Sequence, residues 1–301
     1  MFYCGIDIAK YKHEATVIDQ TGVSLLDSIS FSNSKEGCEK LLALFQRLNI
    51  AKEDLLIGME ATGHYWLSVY GYLLEQGFEV KVINPIQSEA FRKMYIRQTK
   101  NDRKDSFIIA QIMRFGQFSA TSLSEEVIIA MRQLSRYRLA LVDACGDCKR
   151  RVIALLDQVF PEYDALFSDT FGVTSKEILS QYPVPEELLT VSTRKLTTLL
   201  ENASHGRFGK EKAEQLKAAA ANSFGVSFAK NAFAFQIRQL VEQLEFLEGQ
   251  IMELEAQISS LLKQTGSYIT TIPGIGDTLG AIILSEIGDI HRFNAPNKLV
   301  A

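Results

Sequence analysis

Hydrophobic and polar positions alternate with a period of two through the opening of the chain. Residues 2–9 read as a buried strand, residues 13–19 as a second and Val23 to Phe31 as a third, with Gln20-Thr21-Gly22 as a turn. The spacing then lengthens to three and four. Behind Ser34, the positions Leu41, Leu42, Leu44, Phe45 and Leu48 predict an amphipathic helix. Residues 55–60 predict a fourth strand ending in an acid. The turn at Thr62-Gly63 opens a helix through Tyr65, Trp66, Val69, Leu73 and Leu74. Residues 78–83 predict a fifth strand, which Asn84-Pro85 ends before further helices. The order βββαβαβα predicts an α/β domain. Three antiparallel strands come first, and helical crossovers force the later strands parallel to strand one.

Beyond this the pattern is helical. Residues 122–157 predict one long helix with basic residues on its exposed positions, stopped by Phe160-Pro161-Glu162. Residues 161–230 read as several short helices to which no chemistry is assigned, and Gly206 to Lys210 reads as a surface turn. Residues 233–262 carry the clearest periodicity. Ile237, Leu240, Leu244, Leu247, Ile251, Leu254, Ile258 and Leu261 recur at steps of three and four. They form a coiled-coil seam, and dimerisation through it is favoured over an intrachain hairpin. Last comes Ile272-Pro273-Gly274-Ile275-Gly276-Asp277, which fits the Gly-rich turn of a helix-hairpin-helix module. There Gly274 and Gly276 would expose backbone N–H groups to a nucleic-acid phosphate.

Composition changes this picture little. The 301 residues suffice for two domains, and 47% apolar with 23% charged residues is ordinary for a globular protein. A net charge of −4 gives no global sign of nucleic-acid binding, but Arg92, Lys93, Arg97, Lys100, Arg103 and Lys104 form a local basic stripe. Arg132, Arg136, Arg138, Lys149, Arg150 and Arg151 follow it on the long helix and are expected to grip backbone phosphates as well. No signal peptide opens the chain, no apolar run approaches the roughly 20 residues of a membrane span, and a cytoplasmic protein without a membrane partner is expected. Four cysteines make no disulfide framework, and Cys145-Gly146-Asp147-Cys148 lacks the second ligand pair of a zinc site.

The acids carry the candidate chemistry. Asp7 sits among Ile6 and Ile8 inside a strand, where a carboxylate is costly unless paired or bound to metal. Glu60 ends strand four, which can neighbour strand one. Lys100-Asn101-Asp102-Arg103-Lys104-Asp105 opens the helix after strand five, with Asp102 and Asp105 one turn apart on one face. Two such acids also suit a helix cap. Four carboxylates converging at one sheet end would repel each other, and a pair of Mg²⁺ or Mn²⁺ ions would resolve this, as in two-metal phosphodiester chemistry.

Four segments together resemble one family: Gly5-Ile6-Asp7-Ile8-Ala9-Lys10, Met59-Glu60-Ala61-Thr62-Gly63, Lys100 to Asp105, and Pro273-Gly274-Ile275-Gly276. Over nearly its whole length the chain is similar to the DEDD transposases of bacterial insertion sequences, whose recombinases are guided by a bridge RNA. The resemblance implies a RuvC-like, RNase H-type metal-binding domain with trailing helices over residues 1–157. A helical connector at 158–232, a coiled coil at 233–265 for a homo-oligomer and the start of a transposase domain at 266–301 would follow. It implies that Asp7, Glu60, Asp102 and Asp105 are the catalytic, metal-holding tetrad, and that DNA and a guide RNA are the partners. Arg97, Lys100, Arg103 and Lys104 would lie on phosphates. It also implies a nucleophilic serine beyond the Pro273–Gly276 segment. No serine here matches it, Ser285 included, so the chain is expected to be cut short before that motif and its own recombination is open.

Three other readings compete. A structure-selective nuclease would need only the acids. A non-catalytic nucleic-acid-binding fragment would keep the fold and the basic surface. An actin-like ATPase or sugar kinase is opposed by Ala9, where its phosphate loop needs glycine.

Overall fold

The computed structural model describes residues 1–61, 63–95, 102–116, 126–288, 290, 293 and 295–300, with the backbone alone for 87, 92, 94, 95, 102–104, 296 and 300. The chain forms two compact units, Met1–Leu123 and Ser124–Ala301. The long helix after residue 125 therefore belongs to the second unit, whereas the sequence reading grouped it with the sheet.

The first unit holds β1 (Phe2–Asp7), β2 (Lys12–Ile18), β3 (Ser24–Ser32), α1 (Lys35–Arg47), β4 (Leu55–Glu60), α2 (Trp66–Glu75), β5 (Glu79–Ile83), α3 (Pro85–Tyr95) and α4 (Asp102–Phe115). The sheet order is β3-β2-β1-β4-β5. Strands β1, β2 and β3 pair antiparallel, while β4 lies parallel to both β1 and β5. The predicted βββαβαβα order and strand directions are what the structure shows.

Strand alternation sends successive side chains to opposite faces. Cys4, Ile6, Ala15, Val17, Ile57 and Met59 pack with Cys38, Leu41 and Phe45 of α1 and Val69 and Leu73 of α2. Serine 34 caps α1, its hydroxyl accepting from the Gly37 amide at 3.2 Å. The other face takes α4, where Tyr3, Leu56 and Ile83 meet Ile108, Ile109, Ile112 and Met113. Two glycines let α4 come close. A Cβ on Gly5 would stand 2.0 Å from the Ser106 carbonyl oxygen and 2.3 Å from the Ala110 nitrogen. A Cβ on Gly58, the register partner of Gly5, would meet the Met113 side chain at 2.5 Å. A buried hydroxyl pair, Thr16 Oγ1 and Ser106 Oγ at 2.8 Å, ties β2 to the same helix.

The second unit is helical: α5 (Glu126–Val159), α6 (Val173–Gln181), α7 (Pro185–Thr190), α8 (Thr193–Ala203), α9 (Lys210–Ala221), α10 (Lys230–Gln264), α11 (Asp277–Ile287) and α12 (Pro296–Val300). The heptad seam on α10 is covered by α5 of the same chain. Ala234, Ile237 and Val241 pack with Val152, Leu156 and Val159, Leu244, Leu247 and Leu254 with Leu141, Cys145 and Cys148, and Ile258 and Leu262 with Met131. The reversed order makes the pair antiparallel. Within the chain the buried positions of the 233–262 seam face α5, as in the hairpin alternative to a seam between copies. Leu244 is fully buried there. Leu244→Ala is expected to cost about 2–5 kcal/mol in urea unfolding. Its midpoint should be the same at two protein concentrations tenfold apart, as an intrachain contact requires.

Candidate active site

Register and helix direction together place the acids. Ile6 pairs with Met59, so Asp7 and Glu60 stand one residue further on, at the carboxyl ends of adjacent parallel strands. By alternation they share the face of Gly5 and Gly58, which is the face under α4. Helix α4 runs antiparallel to β1. Its Ser106 and Ala110 meet Gly5, while Gln111 and Arg114 lie by Gly22 at the opposite end of the sheet. Asp7 is two residues beyond Gly5, about 6.6 Å along the strand. Asp102 is four residues before Ser106, about 6 Å along the helix in the same direction. The backbone thus brings Asp7, Glu60 and the first turn of α4, with Asp102 and buried Asp105, to one end of one face.

Polar groups neighbour two of these acids. The Ser88 hydroxyl lies 2.6 Å from Glu60 Oε2, and the Ala61 amide donates to the Ile83 carbonyl at 3.0 Å, which extends the β4–β5 ladder past Glu60. Glu14 is the register partner of Asp7 on β2 and accepts from Ser28 Oγ at 2.8 Å. His13 is buried beside them on the other face, its Nδ1 accepting from the Ala9 amide at 3.3 Å, and burial holds its imidazole below the usual histidine range. Among the described residues, no three His, Cys, Asp or Glu side chains are gathered into a group that could hold a metal ion. Asp7, Glu60 and Asp105 are among those residues, so they share a sheet end without their side chains forming such a group; the Asp102 side chain lies outside them. The donors themselves are all hard carboxylate oxygens, the type that Mg²⁺ and Mn²⁺ take.

Sequence reasoning missed Ser88 and Glu14. Neither carries a motif; Glu14 was legible only through its register opposite Asp7, and Ser88 only through the phase of α3.

The nucleic-acid candidates fare unevenly. Arg97 and Lys100 lie outside the described residues, and Arg103 and Lys104 are seen only as backbone in the first turn of α4. Gly274 has a φ of +87°, and a Cβ on Gly274 or Gly276 would meet open space, so this turn before α11 is uncovered. Gly280 behind it packs on Ile269, with an added Cβ only 2.9 Å from that side chain. The basic positions of α5 correct an expectation. Arg136 grips both Glu286 oxygens at 2.7 and 2.8 Å, Arg138 grips Glu255, and Arg132 donates to the Ser285 carbonyl at 2.7 Å. Lys149 pairs with Glu248 and Arg150 with Asp147. These pairs fasten α5 to α10 and α11 or to itself, while Arg151 stays exposed. Arg136 holds the Glu286 carboxyl below the usual carboxylate range. Ser285 is fully buried, its hydroxyl donating to the Ile282 carbonyl at 3.1 Å. Cys145 and Cys148 are buried against α10, and burial pushes the Cys145 thiol up.

Sheet order and strand directions make the first unit an RNase H-type fold, with its acids at the carboxyl end of the central parallel strands. The chain belongs to the IS110 family of DEDD transposases. The model of that family matches residues 4–161, more than half of the chain, and a second model, described as transposase of the IS116/IS110/IS902 family, matches residues 266–301. Over 298 residues the chain is 24% identical to a candidate transposase of the IS117 mini-circle from Streptomyces coelicolor, covering 95% of this chain and 71% of that protein. Over 109 residues it is 28% identical to a pilin gene-inverting protein of Moraxella lacunata, covering 36% and 33% of the two chains. Among solved structures, RuvC of Thermus thermophilus aligns with 40% of this chain and 100% of its own, at 15% identity and a TM-score of 0.30. Among the described residues no helix is long and apolar enough to cross a membrane.

Proposed function

We propose that the chain supplies the metal-dependent part of a site that cleaves and transfers DNA strands of an insertion element, with Asp7, Glu60, Asp102 and Asp105 as its metal-holding acids. One observation carries this: Asp7 and Glu60 end adjacent parallel strands on the face crossed by α4, whose first turn bears the other two. Bound Mg²⁺ or Mn²⁺, on the order of two ions, would supply charge stabilisation at both the attacking and leaving oxygens. The strand ladder fixes Asp7 and Glu60, and the close seat of α4 on Gly5 fixes the level of Asp102 and Asp105. The amino end of α4, with Arg103 and Lys104 in its first turn, favours a phosphate at the same edge. The open turn at Gly274 and Gly276 offers backbone amides to a second stretch of DNA backbone. Guidance by a structured RNA is the family-level part of the proposal. It would leave sequence choice to base pairing and only backbone contacts to the protein.

Strand transfer between element-end DNA and a target, in Mg²⁺ with the cognate RNA and by a version of the chain that also carries the serine motif, tests the reading. Asp102→Asn and Asp105→Asn should each lower the rate by several kcal/mol of barrier, on the order of 100-fold or more. Retained activity in both variants would refute the assignment.

A further inference from the structure

Ser88 sits on α3 with 1% of its surface exposed, and its hydroxyl lies 2.6 Å from Glu60 Oε2. The Pro85 carbonyl is a second acceptor at 2.9 Å. A hydroxyl has a single proton, and the shorter contact to a charged oxygen is the stronger bond. The first turn of α3 is itself held, because Asn84 Oδ1 accepts from the Ile86 amide at 2.9 Å. On the other side of the contact, the ladder bond from the Ala61 amide fixes the end of β4. A rigid donor therefore meets a carboxylate on a rigid strand.

We propose that Ser88 is a positioning residue for Glu60: it pins one carboxylate oxygen and so sets the direction in which the other is offered to a divalent cation. The proposal rests on the reading of Glu60 as a metal-holding acid. Partners of metal-ligating carboxylates in general aim the ligand and tune its affinity, and their loss costs about 10–100-fold in metal binding or activity. Ser88 touches neither metal nor DNA in this role and acts only through Glu60.

The test is a Mn²⁺ titration of the full chain, followed by the electron paramagnetic resonance signal of free Mn²⁺. Ser88→Ala should raise the half-saturating Mn²⁺ concentration about 10–100-fold while leaving the far-ultraviolet circular dichroism and the binding capacity at saturation unchanged. Ser88→Thr, which keeps the hydroxyl, should restore most of the affinity. In a Glu60→Gln background the Ser88→Ala change should add nothing, because the residue through which it acts is gone. Wild-type affinity in Ser88→Ala alongside weakened binding in Glu60→Gln would overturn the positioning role and leave the metal reading standing. Wild-type affinity in Glu60→Gln would overturn both. A full additional loss from Ser88→Ala in the Glu60→Gln background would show a general structural effect and overturn the proposal as well.

Discussion

Gly5→Ala is expected to destabilise the first unit by about 3 kcal/mol or more and to weaken metal binding with it. The new Cβ would stand 2.0 Å from the Ser106 carbonyl oxygen and 2.3 Å from the Ala110 nitrogen. Both are backbone atoms of α4, so no side-chain rotation relieves the clash. The helix must lift or slide, and overpacking of this kind costs typically 1–3 kcal/mol and sometimes more. Lifting α4 also breaks the Thr16–Ser106 hydroxyl contact and displaces Asp102 and Asp105 from the level of Asp7. Gly58→Ala is the control. Its Cβ would press on Cγ and Sδ of Met113, and a flexible thioether gives way more readily. Urea midpoints at unchanged slope measure both. A Gly5→Ala protein as stable as Gly58→Ala would mean that α4 is not seated on β1 as described.

In a version that also carries the serine motif, Glu60→Gln is expected to abolish strand cleavage while sparing the fold. Glutamine keeps the size of the side chain and an oxygen that accepts from Ser88, so the packing at the end of β4 survives. What is lost is charge. An amide oxygen is a far poorer ligand for a hard divalent cation than a carboxylate. Loss of a residue that merely aims a ligand costs about 10–100-fold, so loss of the ligand charge itself should exceed about 100-fold in the rate of cleavage at fixed Mg²⁺. The unfolding free energy from urea titration should stay within about 0.5 kcal/mol of wild type. Cleavage at the wild-type rate would remove Glu60 from the site.

Much of this was legible in the sequence, for identifiable reasons. Period-two alternation and the turn at Gly22 gave the three antiparallel strands, and short crossovers gave the parallel direction of β4 and β5. The sharing of a sheet end by Asp7 and Glu60 followed from that topology. The rest depends on contacts between residues far apart in the chain. Nothing near Gly5 announces Ser106 and Ala110, which lie a hundred positions on. Ser88 meets Glu60 only because α3 has a particular phase. The intrachain partner of the α10 seam was not legible because α5 carries cations along its length, which hid an apolar face. Those cations in turn looked available for DNA because their acids, Glu255 and Glu286, lie 117 and 150 residues away.

Metal binding by the four acids is the claim on which both catalysis and the role of Ser88 depend. Calorimetric titration of Mn²⁺ into the full chain tests it without DNA or RNA. Saturable binding of about two ions is predicted, with Asp7→Asn and Asp102→Asn each lowering stoichiometry or affinity while the fold persists. No saturable binding, or binding that neither substitution alters, would contradict it.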